Sequence, residues 1–419
     1  MKTQTRPEPA ALPQTAPSRP APPRHLFARP AADPGPAAPA PGERGSLFAF
    51  QSRGTLLHGL GTAAALPRGS IASLEARLAT FFRAAGIEAM LAGALPFDRS
   101  ADDCLWQARR VVRTAPPKQG MPCAATDAAW QLSHAPDAAG YEAAVRRALD
   151  LMAAEAGTAG GLEKIVLSRS LVTTAERDID VAALFRRLAA DPAATAFLVP
   201  LPERGGVPRV MAGATPELLV AKAGRRVSSH PLAGSARRRA DLAEDAAVAA
   251  RLAASDKDRQ EHGIVAEFIL DTLAPFCRRL FRPQGMALAS TATMWHLGTR
   301  IEGELKDPEV PAAVLAAALH PTPAVCGVPR EKAARHIGSL EGYARDFYAG
   351  AVGWCDGRGD GAWYVTIRCA EISGRQARLY AGAGIVPGSD PRAEAEETAA
   401  KYAALLTALG IPPLGEERS

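Results

Sequence analysis

The spacing of apolar and charged residues predicts an amphipathic helix over residues 255–273. Asp258 and Glu261 lie three positions apart, and apolar residues continue their face of the helix as far as Phe268, the spacing of a stripe turned toward a core. A buried carboxylate is costly unless a positive charge neutralises it. The pair therefore indicates either a cation site or, as the simpler alternative, two solvated charges on an exposed face.

A second acidic helix is predicted near the end of the chain, where Glu394, Glu397 and Lys401 stand at positions i, i+3 and i+7. Pro391 suits the first turn of that helix, and Gly410 suits the position after its last turn. Carboxylates from two helices can close around one hard divalent cation with oxygen ligands, and Mg²⁺ is the ion that this donor chemistry favours.

Shorter apolar runs, separated by glycine, proline and aspartate, predict β-strands along much of the remaining chain. Strand and helix do not alternate regularly, so the order favours an α+β protein with large, mostly antiparallel sheets. Further helices are predicted over 72–85, where Ser73 could cap the start, and over 138–155. The predicted strands fall at 47–50, 55–61, 91–97, 195–201, 290–301, 363–370 and 379–386.

The composition predicts a large folded body with one atypical end. The 419 residues are 47% hydrophobic, which allows an extensive core, and no apolar run is long enough to span a membrane. Residues 1–45 are rich in proline and alanine, so they are predicted to be a disordered tail.

Six cysteines without a C-x-x-C pair predict reduced thiols in a cytoplasmic protein and argue against zinc. The net charge of +5 suits a small anionic substrate as easily as a polyanion.

Five residues stand out as candidates for chemistry. Lys164 opens an apolar strand, where desolvation would make it a base, unless it is a strand-edge lysine in water. Glu217 follows a Gly/Pro turn, so it is either a neutral proton donor or a simple turn acid. Arg368 either holds a carboxylate or lies on the solvent face of an edge strand. Gly234 and Ser235 offer small side chains and open backbone donors to an approaching carboxylate.

Two histidines and a basic cluster give weaker signals. His296 lies in a predicted strand and is more typical of a core or rim histidine than of a ligand. His320 lies in a proline-rich loop and either lines a site or packs. The cluster Arg237–Arg239 is either solvated or a contact for nucleic acid, which would make the protein a non-catalytic anion-binding protein.

Eight short motifs follow one another along the chain. They are Lys164-Ile-Val-Leu-Ser-Arg, Gly213-Ala-Thr-Pro-Glu217, Pro231-Leu-Ala-Gly-Ser, Asp258-Arg-Gln-Glu261-His262, His320-Pro-Thr-Pro-Ala, Thr366-Ile-Arg368-Cys-Ala, Gly382-Ala-Gly-Ile-Val and Glu394-x-x-Glu397-Thr-x-x-Lys401. In this order they resemble the motifs of the chorismate-utilising enzymes, a family that serves menaquinone, siderophore and tryptophan biosynthesis. The resemblance covers residues 46–409 and is nearest to the isochorismate synthases, especially those of siderophore pathways.

The resemblance implies one catalytic domain over 46–413, built from two large antiparallel sheets packed together with helices outside and the site between them. It also implies a reversible, Mg²⁺-dependent conversion of chorismate to isochorismate. In that reaction Lys164 would activate the water that attacks C2, and Glu217 would protonate the departing 4-hydroxyl.

The resemblance further implies how the metal and the substrate are held. Glu261 and Glu397 would bind Mg²⁺, with Asp258 and Glu394 supporting it through water. Arg368 and Tyr348 would hold the enolpyruvyl carboxylate. The remaining residues of the implied anion site are Gly234, Ser235, Gly384 and Lys401.

The alternatives within the family differ in their chemistry. Aminodeoxychorismate-forming relatives carry a lysine where this chain has Ala233, and anthranilate synthases lack a lysine at the position of Lys164 and require ammonia. Salicylate synthases share Lys164 and Glu217 and also eliminate pyruvate, so they are the main alternative. The expected partners are chorismate, isochorismate and downstream siderophore enzymes. The protein is expected to be a monomer that binds neither nucleic acid nor membrane.

Overall fold

The computed structural model describes residues 41–42, 44–52, 54–116 and 130–411. The predicted tail over 1–45 therefore lies almost wholly outside the described residues. In chain order, the described helices are α1 (Leu74–Ala85), α2 (Ala138–Ala154), α3 (Val181–Leu188), α4 (Leu242–Ala254), α5 (Asp256–Leu273), α6 (Ala312–Leu319), α7 (Arg330–Leu340) and α8 (Pro391–Leu409).

The described strands outnumber the helices and supply most of the framework. They are β1 (Ser46–Ser52), β2 (Thr55–Ala65), β3 (Met90–Leu95), β4 (Cys104–Thr114), β5 (Trp130–Ala135), β6 (Lys164–Ala175), β7 (Thr195–Arg204), β8 (Val207–Thr215), β9 (Leu218–Ala223), β10 (Arg226–His230), β11 (Leu232–Arg237), β12 (Cys277–Phe281), β13 (Met286–Ser290), β14 (Met294–Thr299), β15 (Ile301–Leu305), β16 (Gly327–Val328), β17 (Ala351–Asp356), β18 (Gly361–Val365), β19 (Cys369–Ser373) and β20 (Gln376–Ile385).

Antiparallel pairing holds these strands together, as predicted. The strands described here form one seventeen-stranded sheet and one three-stranded sheet of β11, β14 and β13. The family resemblance led us to expect two large sheets, and the two observed sheets are unequal in size. The longest ladder joins β6 to β20, with Ile165 opposite Ile385 at one end and Thr174 opposite Gln376 at the other. This ladder brings Lys164 next to the glycines of β20.

The helices cover the sheets and enclose two hydrophobic clusters. The larger cluster contains fully buried side chains such as Trp363, Phe197 and Tyr141. The smaller one lies where α3 and α8 meet the sheet and includes Phe185 and Leu406. In the described part of the chain, no helix combines the length and the apolar character needed to cross a membrane.

Both acidic helices form where they were predicted. The hydroxyl of Ser255 accepts a hydrogen bond from the Asp258 amide at 3.3 Å and caps α5. Gly410 ends α8 with a φ of 82°, a left-handed conformation that favours glycine. Ser73 precedes α1 but makes no side-chain capping bond, so the cap predicted there is wrong.

Two local predictions need correction. The buried stripe of α5 runs through His262, Val265 and Ile269, which stand at i+4, i+7 and i+11 from Asp258, so Asp258 does lie at the head of a buried stripe. Phe268, which was predicted to continue that stripe, is only partly buried. The strand predicted over 363–370 is broken into β18 and β19, and Arg368 lies in the break with a φ of 50°.

Candidate active site

One pocket collects the predicted site residues. It lies between α5 and α8 on one side and β6, β11 and β20 on the other, and it is lined by every one of the twelve predicted residues except Lys164. The lining residues from the predicted set are Glu217, Gly234, Ser235, Asp258, Glu261, Tyr348, Arg368, Gly384, Glu394, Glu397 and Lys401.

Lys164 lies directly behind this lining. Its side chain is fully buried, and its Nζ is 2.7 Å from Oε1 of Glu261. Among the described residues, Nζ has no partner with hydrogen-bond geometry. The contact with Glu261 is therefore an ion pair, and the amine remains available for a further hydrogen bond. The alternative of a strand-edge lysine in water is therefore wrong.

Glu217 occupies the turn between β8 and β9 and is only 3% exposed. Burial raises its pKa to about 8, although a backbone hydrogen bond at Leu232 and the positive charge of Lys164 act in the opposite direction. The carboxyl is therefore protonated at neutral pH and can donate a proton. A simple turn acid exposed to water would not have this property.

Three lysines neutralise the acidic end of the pocket. Lys164 pairs with Glu261, the Nζ of Lys401 lies 2.6 Å from Glu397, and the Nζ of Lys257 lies 3.5 Å from Glu394. Glu261, Glu394 and Glu397 are thus not free in solvent, so the simpler alternative of solvated charges on an exposed face is wrong for Glu261.

The carboxyl groups at the acidic end of the pocket differ in the direction in which their pKa is shifted. Burial and the negative charge of Glu397 raise the pKa of Glu394, and burial together with Glu261 raises that of Asp258. Burial also opposes ionisation of Glu397, but Lys401 and Ser235 outweigh it and lower its pKa. The Ser235 hydroxyl donates to Glu397 at 3.0 Å. A cation would relieve the mutual repulsion of these acids.

The donor set fits Mg²⁺ bound partly by substrate and water. Within the described residues, no three His, Cys, Asp or Glu side chains already form a ligand group. Mg²⁺ does not need such a cage, because it commonly keeps several waters and uses one or two protein carboxylates with substrate oxygens. Glu261 and Glu397, one from each helix, are the two carboxylates that would be available for this.

Glycines let the chain approach these acids closely. A Cβ on Gly384 would overlap Oε1 of Glu261 and come within 3.4 Å of the Cε of Lys164. Gly234 has a φ of +70°, and a Cβ there would lie 3.0 Å from Oδ1 of Asp258. Both positions therefore need glycine for steric reasons.

The part of the pocket wall that carries Tyr348 and Arg368 is suited to an anion. The buried ring of Tyr348 stacks on Tyr380 with centroids 4.6 Å apart. Arg368 adopts a left-handed backbone conformation, which is uncommon for a residue other than glycine and indicates a constrained position. Burial lowers the pKa of Arg368, so an anion in the pocket would stabilise its charge. Lys401 donates to the Gly382 carbonyl at 2.7 Å as well as pairing with Glu397.

His296, interpreted from the sequence as a core or rim histidine, is buried and also lines the pocket. It is 6% exposed, hydrogen-bonds to the Gly234 backbone, and has an Nε2 that lacks a partner among the residues described. Burial, with Arg368 and Lys401 nearby, lowers its pKa to about 3. His296 therefore offers a neutral imidazole to whatever occupies the pocket. A lone histidine in a strand gives no sequence signal of this kind.

The other weak candidates lie outside the pocket. The Nε2 of His320 contacts the Pro96 carbonyl at 2.9 Å in the interior, so its packing interpretation is confirmed. In the basic cluster, Arg238 pairs with Asp245 at 2.8 Å and lies over the Trp295 ring at 4.4 Å. Arg238 is therefore committed to contacts within the protein.

Comparison with known proteins identifies the class. The family model described as chorismate binding enzyme matches residues 88–410, and the chain belongs to that family. The family is also the one that the eight motifs predicted.

Individual relatives are more specific. The chain is 47% identical over 335 residues to a Mycobacterium tuberculosis protein provisionally named isochorismate synthase MenF, covering 78% of this chain and 88% of that one. It is 41% identical over 323 residues to the vibriobactin-specific isochorismate synthase of Vibrio cholerae, covering 77% and 80%. It also matches a crystal structure from Bacillus anthracis provisionally named 2,3-dihydroxybenzoate-specific isochorismate synthase DhbC. That match has a TM-score of 0.81 and 36% identity and covers 88% of this chain and 98% of that one.

Proposed function

We propose that this protein is an isochorismate synthase, which converts chorismate reversibly to isochorismate with Mg²⁺. The observation that carries the proposal is the buried Glu217, protonated at neutral pH because burial raises its pKa to about 8, in the same site as the buried Lys164. A base and an acid of this kind are what the exchange of one hydroxyl for another across a ring requires. The names of the relatives support the same reaction.

The reaction divides between these two side chains. Lys164 must first release the ammonium proton of its ion pair with Glu261; as the neutral amine it then accepts a proton from water, whose oxygen forms a bond to C2 of the ring. The ring double bonds shift, the C4–O bond breaks, and Glu217 gives its proton to the departing hydroxyl, which leaves as water. The reverse reaction uses the same groups with their roles exchanged.

The acids and cations of the pocket hold the substrate during this exchange. Glu261 and Glu397 would bind Mg²⁺, with Asp258 and Glu394 acting through water. The metal, when bound, supplies positive charge to the ring carboxylate. Arg368 and Tyr348 would receive the enolpyruvyl carboxylate.

Gly234, Ser235, Gly384 and Lys401 complete the substrate site in this proposal. The two glycines provide room where a Cβ would overlap or crowd an acid. Ser235 and Lys401 both bond Glu397, so they fix the carboxylate that would face the metal.

The product is proposed to enter siderophore biosynthesis. Two of the three similar proteins carry names that refer to vibriobactin or 2,3-dihydroxybenzoate, while the third is named MenF. Deleting the gene is expected to abolish production of an iron chelator under iron limitation and to leave menaquinone unchanged. Loss of menaquinone with a normal chelator level would reverse this assignment.

Product identification tests the reaction itself. Purified protein given chorismate and Mg²⁺ is expected to form isochorismate without pyruvate, and a chelator of divalent cations is expected to stop the reaction. Stoichiometric salicylate and pyruvate would instead make the protein a salicylate synthase. Unchanged chorismate at all Mg²⁺ concentrations would refute the proposal.

A further inference from the structure

A buried ion pair outside the predicted site lies against the walls of the pocket. Glu341 follows α7, and Arg345 comes four residues later. Each is 4% exposed. The Nε of Arg345 donates to Oε2 of Glu341 at 2.9 Å, and its Nη2 donates to Oε1 of the same carboxylate. The pair is bidentate, which fixes the plane of the guanidinium.

The other donors of Arg345 go to pocket-lining backbone. Nη1 donates to the carbonyl of Val325 and Nη2 to the carbonyl of Val166, both at 2.7 Å. Val166 and Val325 both line the pocket, and Val166 is two residues from Lys164. The guanidinium also lies 5.8 Å from the centroid of the Tyr348 ring. One side chain therefore contacts three separate parts of the pocket wall.

Glu341 ties the same arrangement to the strand of the proposed base. Its Oε1 accepts from the amide of Ser168 at 2.6 Å and from the Ser168 hydroxyl at 2.8 Å. Because that hydroxyl donates to a carboxylate, it must accept from the Tyr343 hydroxyl 2.7 Å away. The rings of Tyr343 and Tyr348 both stack on Tyr380. The contacts of Glu341 thus continue to the aromatic wall of the pocket.

We propose that the Glu341–Arg345 pair is a positioning device for the active site, holding β6, the loop at Val325 and the ring of Tyr348 in one fixed arrangement. A buried ion pair is weak evidence for a stabilising role, because an apolar replacement is often as stable. Its contacts instead give it a geometric role, since they fix the wall that meets the substrate. The effects that we expect on kcat and KM rest on the proposed function.

A matched pair of double variants tests the proposal. Glu341→Gln/Arg345→Met removes both charges at once and leaves no buried ion without a partner. The control is Arg77→Met/Asp103→Asn. Asp103 is fully buried, and Arg77 bonds it at 2.9 Å and also donates to backbone carbonyls, at Pro67, Gly69 and Ser70. None of these five residues lines the pocket.

The two variants are expected to differ in kinetics. Loss of the Glu341–Arg345 pair should lower kcat/KM by at least about tenfold, with a raised KM for chorismate, because misplaced site groups are costly even at small displacements. The single variant Arg345→Lys should raise the KM less than the double variant does, because the lysine ammonium can still reach Glu341. The control should keep wild-type kcat and KM at matched unfolding free energy. Wild-type kinetics in both variants, or equal losses in both, would overturn the inference.

Hydrogen exchange separates this inference from the reaction assignment. In ligand-free protein, Glu341→Gln/Arg345→Met should exchange faster than wild type over 164–169, 322–328 and 345–350, with 391–401 unchanged. The control variant should show no change in any of these segments. If the wild type does not convert chorismate, the proposed function fails, and the exchange pattern still decides whether the pair holds the wall. Unchanged exchange over 164–169 and 345–350 would sink the proposal.

Discussion

Replacing Glu217 by glutamine should remove a loss of stability that the ligand-free wild type undergoes as pH rises from about 5 to about 8. The reason is that the folded protein keeps this carboxyl protonated, with a pKa raised from 4.5 to about 8 by burial. The unfolded chain releases the proton at its ordinary pKa. The wild type therefore loses stability as pH rises through this window, whereas the glutamine variant has no proton to lose.

The size of the effect follows from proton linkage. Between the unfolded and folded pKa values, the folded state binds about one more proton than the unfolded state, so stability falls by about 1.4 kcal/mol for each pH unit. From about pH 5.5 to about pH 7.5, the stability of the variant relative to the wild type should therefore rise by roughly 2 to 3 kcal/mol. The amide also changes the hydrogen bonding of the buried site, but that contribution is independent of pH and cancels in the comparison.

Urea unfolding followed by tryptophan fluorescence, with a chelator and without chorismate, measures this difference. Asp245→Asn is a suitable control because the bond with Arg238 lowers the pKa of Asp245 to about 2. A lowered pKa changes stability only as pH falls below the ordinary value, so this control should run parallel to wild type from pH 5.5 to 7.5. If Glu217→Gln also runs parallel, the carboxyl is not a buried acid and its role as proton donor loses its basis.

Three further predictions concern activity. Lys164→Ala should lower kcat by at least about 10²-fold, measured as isochorismate formed; a wild-type rate would remove the proposed base. Gly384→Ala should abolish activity and weaken Mg²⁺ binding measured by calorimetry, because the methyl group would overlap Oε1 of Glu261. Its control is Gly338→Ala on α7, which should behave as wild type because a Cβ there meets nothing within 4 Å. The kcat/KM of the wild type should fall above about pH 8, as Glu217 loses its proton, and a flat profile to pH 9.5 would contradict the assignment of the acid.

The sequence could predict the acidic helices because their signals are local. Spacing, a proline at the start and a glycine at the end define α8 without knowledge of its neighbours. The break at Arg368 was not predictable in this way. A positive φ at a residue other than glycine has no sequence signature, and it depends on the β-strands on either side.

Long-range contacts explain most of what the sequence could not show. Glu341 and Arg345 are four positions apart, which is also the spacing of an ordinary exposed ion pair on a helix. Only the fold reveals that both are buried and that Arg345 reaches Val166 and Val325. The same holds for Lys257. The sequence shows only a lysine beside Asp258, and the fold is needed to show that α8 places Glu394 3.5 Å from its amine.

The charges of the pocket favour binding of the proposed divalent cation together with the proposed dianionic substrate. Four carboxylates face four cationic side chains, with Glu217 neutral: the acids are Asp258, Glu261, Glu394 and Glu397, and the cations are Lys164, Lys257, Arg368 and Lys401. A substrate with two carboxylates would add two negative charges to a buried site that is close to balance, at a high electrostatic cost. A divalent cation restores that balance. Metal and substrate should therefore each raise the affinity of the protein for the other, by the same factor.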